Sequence, residues 1–413
     1  MNIIKFITAG SVDDGKSTLI GRLLYDTNSI LDDQLEAIKR ANRKNDDGTV
    51  DLAILTDGLK AEREQGITID VAYKYFQTEN RKFIIADAPG HIQYTRNMVT
   101  GASNSDLIII LIDARKGVIE QTKRHSFLAK LLGLKKVLVC INKMDMMDYE
   151  LAVYENIKTD YLRLAENLKL KDVDFIPVSA LKGDNIVAKS NQMSWYSGPS
   201  LLEYLENVEI DSSENKGWRF PVQWVIRPQS ADLHDYRGYA GKVLGEGLKV
   251  GEEVVILPSG QRSRVSAIEF DQKPLDIAEN GASVILHLED ELDISRGDFI
   301  VSAAYPARSE KIVEANLAWF ENQALEIGQI YLLQNHSKLT KIKVAEIEYK
   351  YDVHNQEKIV GENIGLNDIA KVKIKAAENI IFDDQLDFPE NSRGILIDPR
   401  SNLTVAAVIL QSA

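Results

Sequence analysis

The stretch Gly10-Ser11-Val12-Asp13-Asp14-Gly15-Lys16-Ser17-Thr18 decides the fold. Its first eight residues fit G-x-x-x-x-G-K-[ST]. An apolar run at 3–9 leads into it, and a helix-forming segment at 18–25 leads out. That context is what a phosphate cradle needs, because a glycine-rich turn wraps backbone N–H groups round phosphates at a helix N-terminus. Lys16 would reach the β- and γ-phosphates, and the Ser17 hydroxyl would ligate Mg²⁺. A chance loop with this pattern would rarely sit between such a strand and such a helix.

Outward from this loop, short apolar runs at 3–9, 83–86, 107–112 and 136–141 alternate with longer amphipathic segments such as 120–132 and 150–168. The runs are nearly continuous in Ile, Val and Leu, as strands of a parallel sheet buried on both faces are. Strand and helix in alternation predict an α/β P-loop domain with a doubly wound, mostly parallel sheet over 1–210. After the polar segment 211–217 the pattern changes to short strands cut by Gly and Pro. This predicts one β-barrel over 217–306 and a second over 308–413.

Composition narrows the function classes. Asp and Glu number 62 against 49 Lys and Arg, a net charge of −13. That argues against a broad basic face for nucleic acid, while leaving room for a small local basic site. A single Cys140 rules out an intrachain disulfide or a Cys-based metal cluster and fits a reducing, cytoplasmic setting. No apolar run is long enough to span a membrane. The other histidines, 125, 234, 287, 336 and 354, show no metal-ligand spacing.

Three further motifs fall at strand ends, where a doubly wound sheet binds its ligand. Asn142-Lys143-Met144-Asp145 follows the fourth run. Asp145 would accept two hydrogen bonds from guanine N1–H and the 2-amino group, a donor pair that adenine lacks, and so select GTP. Ser179-Ala180-Leu181 closes the strand predicted at 175–178. There the Ala180 N–H would meet guanine O6, while the Lys143 stem covers the base. Asp87-Ala88-Pro89-Gly90-His91 closes the second run. Asp87 would hold Mg²⁺ through water, the Gly90 N–H would sense the γ-phosphate, and His91 would position the attacking water. Alone, His91 would be read as a structural histidine; its register with Asp87 and Gly90 favours the catalytic role. Arg63-Glu64-Gln65-Gly66-Ile67-Thr68-Ile69 offers Thr68 as a second hydroxyl ligand of Mg²⁺, in place only when the γ-phosphate is bound. Bland readings go to Cys140 (core), to Lys371, Lys373 and Lys375 (the solvent face of a strand), and to Trp195 and Tyr196 (packing under the domain).

These nucleotide motifs followed by two barrels resemble the translational GTPase superfamily, with elongation factor Tu as the obvious comparison. The closer resemblance is to the large GTPase subunits of bacterial sulfate adenylyltransferases, the CysN family. It rests on the loop at 10–17 continued as Thr18-Leu19-Ile20-Gly21-Arg22-Leu23-Leu24, where elongation factors usually carry His at positions 11 and 14 and Thr at 17. It rests too on Glu62-Arg63-Glu64-Gln65-Gly66-Ile67-Thr68-Ile69-Asp70, His91-Ile92-Gln93-Tyr94-Thr95-Arg96-Asn97-Met98 and Trp195-Tyr196-Ser197-Gly198-Pro199. The resemblance implies a heterodimer with a small catalytic subunit (CysD). That subunit condenses ATP and sulfate to adenosine 5′-phosphosulfate and pyrophosphate, and GTP hydrolysis drives the reaction. Some relatives are fused to an adenylylsulfate kinase, but this chain carries no second phosphate loop. Two alternatives remain open at this point: a factor delivering aminoacyl-tRNA, and a switch scaffold that binds GTP with negligible turnover.

Overall fold

The computed structural model describes residues 3–30, 70–89, 95–103, 105–134, 136–170, 172–210, 216–228, 236–352, 357–361, 363–385 and 387–412. The chain forms two compact units: residues 1–211 with 352–357, and residues 212–351 with 358–413.

The first unit is built on a six-stranded sheet: β1 (Ile3–Ala9), β2 (Ala72–Gln77), β3 (Lys82–Asp87), β4 (Leu107–Asp113), β5 (Lys136–Asn142) and β6 (Val173–Pro177). The spatial order is β2-β3-β1-β4-β5-β6, with every neighbour parallel except the antiparallel edge strand β2. Described helices are α1 (Lys16–Asp26), α2 (Thr95–Ser103), α3 (Glu120–Leu131), α4 (Leu151–Leu168) and α5 (Leu201–Asn207). All seven residues of β4 are buried, with Ile108, Ile109, Ile110 and Leu111 at 0% exposure. Each such side chain contributes about 1.5–3 kcal/mol relative to exposure. That reserve exceeds the roughly 1–3 kcal/mol each that left-handed backbone costs at Asp13 (φ 66°) and Lys143 (φ 64°) in the loops above the sheet.

Register places the motifs together. Thr8 pairs with Asp87, and Asp113 with Asn142, so the phosphate loop and two other motif strands end at one rim. β1 lies between β3 and β4, so the order in which successive strands are added reverses at β1 and leaves a crevice beyond the carboxyl ends of the strands.

The second unit holds two closed barrels. The first comprises β7 (Trp218–Ile226), β8 (Gly238–Lys242), β9 (Glu253–Leu257), β10 (Arg262–Phe270), β11 (Ser283–Leu288) and β12 (Phe299–Ser302). It closes in the order β9-β12-β7-β8-β11-β10 and back to β9. The second comprises β13 (Arg308–Trp319), β14 (Ile330–Asn335), β15 (Lys338–Asp352), β16 (Ile369–Phe382), β17 (Arg393–Ile397) and β18 (Thr404–Gln411). It closes in the order β14-β17-β18-β13-β16-β15 and back to β14. Two of these barrel strands carry weak sequence signals. β7 contains Pro221, which normally demotes a strand, yet Pro221 sits opposite Phe299 and the next N–H, that of Val222, bonds to the Asp298 carbonyl at 2.9 Å. β17 is only five residues long and follows α6 (Pro389–Ser392), so it carries little alternation.

Arg219 of β7 links the two barrels. Its Nε and Nη2 donate to Asp383 at 2.9 and 2.7 Å, and its guanidinium lies 4.8 Å from the Phe388 ring centre. Among the described residues no helix is long and apolar enough to cross a membrane.

Candidate nucleotide-binding site

Gly15 explains why the cradle needs glycine. Its φ is +93°, and a Cβ there would lie 2.4 Å from the Asn142 amide nitrogen. No L side chain fits both demands. α1 begins at once with Lys16, so its first free N–H groups face the loop mouth. Ser17 and Thr18 are half-buried on this first turn; Ser11 and Val12 are half-buried, and Asp13 is exposed. Lys16 is 7% exposed and folds over its own loop, its Nζ donating to the carbonyls of Gly10 (2.9 Å) and Ser11 (3.1 Å). Burial pulls its pKa below the ordinary lysine value, against the opposing pull of Asp87, Asp14 and Asp13. Desolvated cationic charge at a helix N-terminus is what a polyphosphate satisfies.

Asn142 ties three motifs with one amide. Its Nδ2 donates to the Asp14 carbonyl at 2.8 Å, and its Oδ1 accepts from the Ala180 N–H at 2.9 Å. The Ala180 N–H is thus engaged, and a guanine O6 would have to share it. Lys143 donates to the Asp13 carbonyl and pairs with Asp113 at 3.1 Å, so its stem is held across the crevice. Asp145 follows on a 3₁₀ turn (Met144–Met147), and its Oδ1 is buried with no hydrogen-bond partner among the described residues. An acceptor shielded from water and unsatisfied calls for a donor. Ser179 is buried and bridged to Asp184, Ala180 is buried, and Leu181 is 44% exposed.

Asp87, 1% exposed at the end of β3, accepts from the Thr8 hydroxyl at 3.3 Å. It and Ser17 supply oxygen donors, the hard ligands that Mg²⁺ takes. Thr68, Gly90 and His91 lie outside the described residues.

Two supporting residues, Asp113 and Arg22, escaped the sequence reading of the site. Asp113 is 1% exposed and accepts from Arg115 (2.6 Å) as well as Lys143. Burial alone would push its carboxyl up, but the hydrogen bonds from Arg115 and Lys143 outweigh this and hold it well below the usual range. Arg22 on α1 donates to the Leu181 carbonyl at 2.6 Å across 159 residues of sequence, a contact that no local spacing announces. Asp14 receives the Ser11 N–H at 2.6 Å; burial raises its pKa despite that bond and Lys16. Trp195 and Tyr196 are half-buried against Tyr154, at 5.2 and 6.3 Å between ring centres.

A P-loop at the switch point, the Asn142-Lys143-Met144-Asp145 motif at the end of β5 and two trailing barrels mark a GTP-binding protein of the translational type. Residues 1–210 match the family described as "Elongation factor Tu GTP binding domain", and residues 312–411 match "GTP-eEF1A C-terminal domain-like". "Sulfate adenylyltransferase subunit 1" of Cellvibrio japonicus (strain Ueda107) is 49% identical over 410 residues, covering 98% of this chain and 86% of that one. The protein of the same name from Laribacter hongkongensis (strain HLHK9) is 46% identical over 417 residues, covering 100% and 86%. The chain belongs to the sulfate adenylyltransferase subunit 1 family. Among solved structures, the Saccharomyces cerevisiae Ski7 GTPase-like domain, bound to GTP, aligns over 100% of this chain and 98% of its own with a TM-score of 0.52 and 17% identity. That likeness concerns the fold alone.

Proposed function

We propose that this chain is the GTP-hydrolysing subunit of a two-subunit sulfate adenylyltransferase of the cytoplasm. Its partner is a small catalytic subunit of the CysD type, which joins ATP and sulfate to give adenosine 5′-phosphosulfate and pyrophosphate. Binding and hydrolysis of GTP on this chain drive that unfavourable reaction. The guanine part of the reading is supported by the buried Oδ1 of Asp145, which has no hydrogen-bond partner among the described residues, and by Asn142, which ties the phosphate loop to Ala180; the two-subunit part is supported by the relatives named subunit 1 of a sulfate adenylyltransferase.

Within this reading the nine residues 10–18 wrap the phosphates, with Gly15 permitting the close approach and Lys16 exchanging its carbonyl contacts for phosphate oxygens. Asn142 and Lys143 fix the loop against the base, Asp145 accepts from guanine, and Ser179, Ala180 and Leu181 line its O6 edge. Ser17 and Thr68, with Asp87 through water, would hold Mg²⁺, which would neutralise charge on the phosphates. Gly90 reports the γ-phosphate, and His91 orients the attacking water.

Nucleotide preference in the assembled enzyme tests this. Asp145→Asn reverses the hydrogen-bonding sense at the base, so GTP should bind at least about a hundredfold more weakly. Xanthosine triphosphate should then replace GTP in stimulating phosphosulfate synthesis. Unchanged guanine selectivity would remove Asp145 as the base reader.

A further inference from the structure

On the outer wall of the second barrel, one row of side chains crosses four neighbouring strands. Ile330 of β14 lies opposite Lys343 of β15, Lys343 opposite Lys375 of β16, and Lys375 opposite Ile312 of β13. All four are exposed, the two isoleucines at 45% and 48%. Ile327, 60% exposed, is drawn to the same place because the Gly328 N–H donates to the Val344 carbonyl at 2.9 Å.

Like charges directly opposite on a sheet destabilise it. Neither Lys343 nor Lys375 makes an ion pair among the described residues. Further along the same face of β16 the lysines are neutralised: Lys371 pairs with Glu314 and Glu348, and Lys373 with Glu346 at 3.9 Å. One row is therefore left positive in a chain of net charge −13, and exposed isoleucines flank it on both sides. Water solvates the lysines well but leaves the isoleucines at either end of the row unburied. A carboxylate-bearing, partly apolar surface satisfies both at once.

We propose that this row is a docking surface for the partner subunit, which meets it with an acidic, apolar-flanked segment. The inference rests on the two-subunit reading above. It is tested by titrating the full chain with the purified small subunit, for the parent, for Lys375→Glu and for Lys343→Glu with Lys375→Glu. Lys375→Glu turns a like-charged pair into an opposite-charged one. Its melting temperature should therefore equal or exceed the parent's, and GTP hydrolysis by the free chain should be unchanged. Affinity for the small subunit should nevertheless fall at least about tenfold in both variants. The parent complex should weaken as salt rises, and the doubly reversed one should respond little. Parent-like affinity in the double variant overturns the docking surface alone. Self-association of the chain, or capture of a short RNA, that depends on these lysines also overturns it by assigning another occupant. Failure of the parent chain to bind the small subunit overturns the two-subunit reading and this surface with it.

Discussion

Asn142 shows how much one side chain can coordinate. Its amide bonds the Asp14 carbonyl and the Ala180 N–H, and it sits where a Cβ on Gly15 would collide. Asn142→Ala leaves two buried backbone groups unsatisfied, so unfolding in urea should show a loss of about 2–4 kcal/mol, with weakened GTP binding. A loss under about 0.5 kcal/mol would mean that water replaces the amide. His91→Ala should lower GTP turnover by about one or more powers of ten while sparing GDP affinity. Normal turnover in single-turnover assays would take His91 out of the mechanism. At this scale the sequence was informative where a motif is short and fixed in spacing, as at 10–17 and 142–145. Arg22 and Asp113 were illegible as site residues, because their partners Leu181 and Lys143 come from other turns of the fold.

Strands of the parallel sheet were readable as continuous apolar runs, since β4 and β5 are covered on both faces. Barrel strands were readable where inward and outward residues alternate, as along β10 and β16. β7 was not, because Pro221 interrupts its pattern, although the neighbouring Val222 N–H still bonds to the Asp298 carbonyl. That strand also carries Arg219, 4% exposed, whose pairing with Asp383 joins the barrels. Arg219→Met leaves the Asp383 carboxylate buried without its cation and should cost about 3–5 kcal/mol. The double change Arg219→Met with Asp383→Leu should cost clearly less, because no charge is then stranded. Equal urea midpoints for the single and double variants would show that the pair is not coupled.

Across the whole molecule, the overall charge said less about partners than the flanks of the nucleotide motifs did. An acidic total of −13 coexists with an unneutralised basic row on the last barrel. Burial has a second molecule-wide consequence. It lowers His125 to about 3, helped by Lys16 and Arg124, and His336 to about 4. Both stay neutral in the fold while the unfolded chain takes up protons below about 6.5. Stability should therefore fall as pH drops from about 6.5 towards 4, by up to about 1.4 kcal/mol per unit for each histidine, and be unaffected by them above that window. Denaturant midpoints measured from pH 7 to pH 4 should show this slope, and His125→Asn should flatten it; an unchanged slope would mean that His125 is protonated in the fold. The central claim, that this chain hydrolyses GTP to drive sulfate activation on another subunit, is met most directly by one assay. Pyrophosphate release from ATP and sulfate is followed for the chain alone and for its complex with the small subunit, each with and without GTP. The account predicts no release from the chain alone and GTP-stimulated release from the complex. Release by the lone chain, or a complex indifferent to GTP, would contradict it.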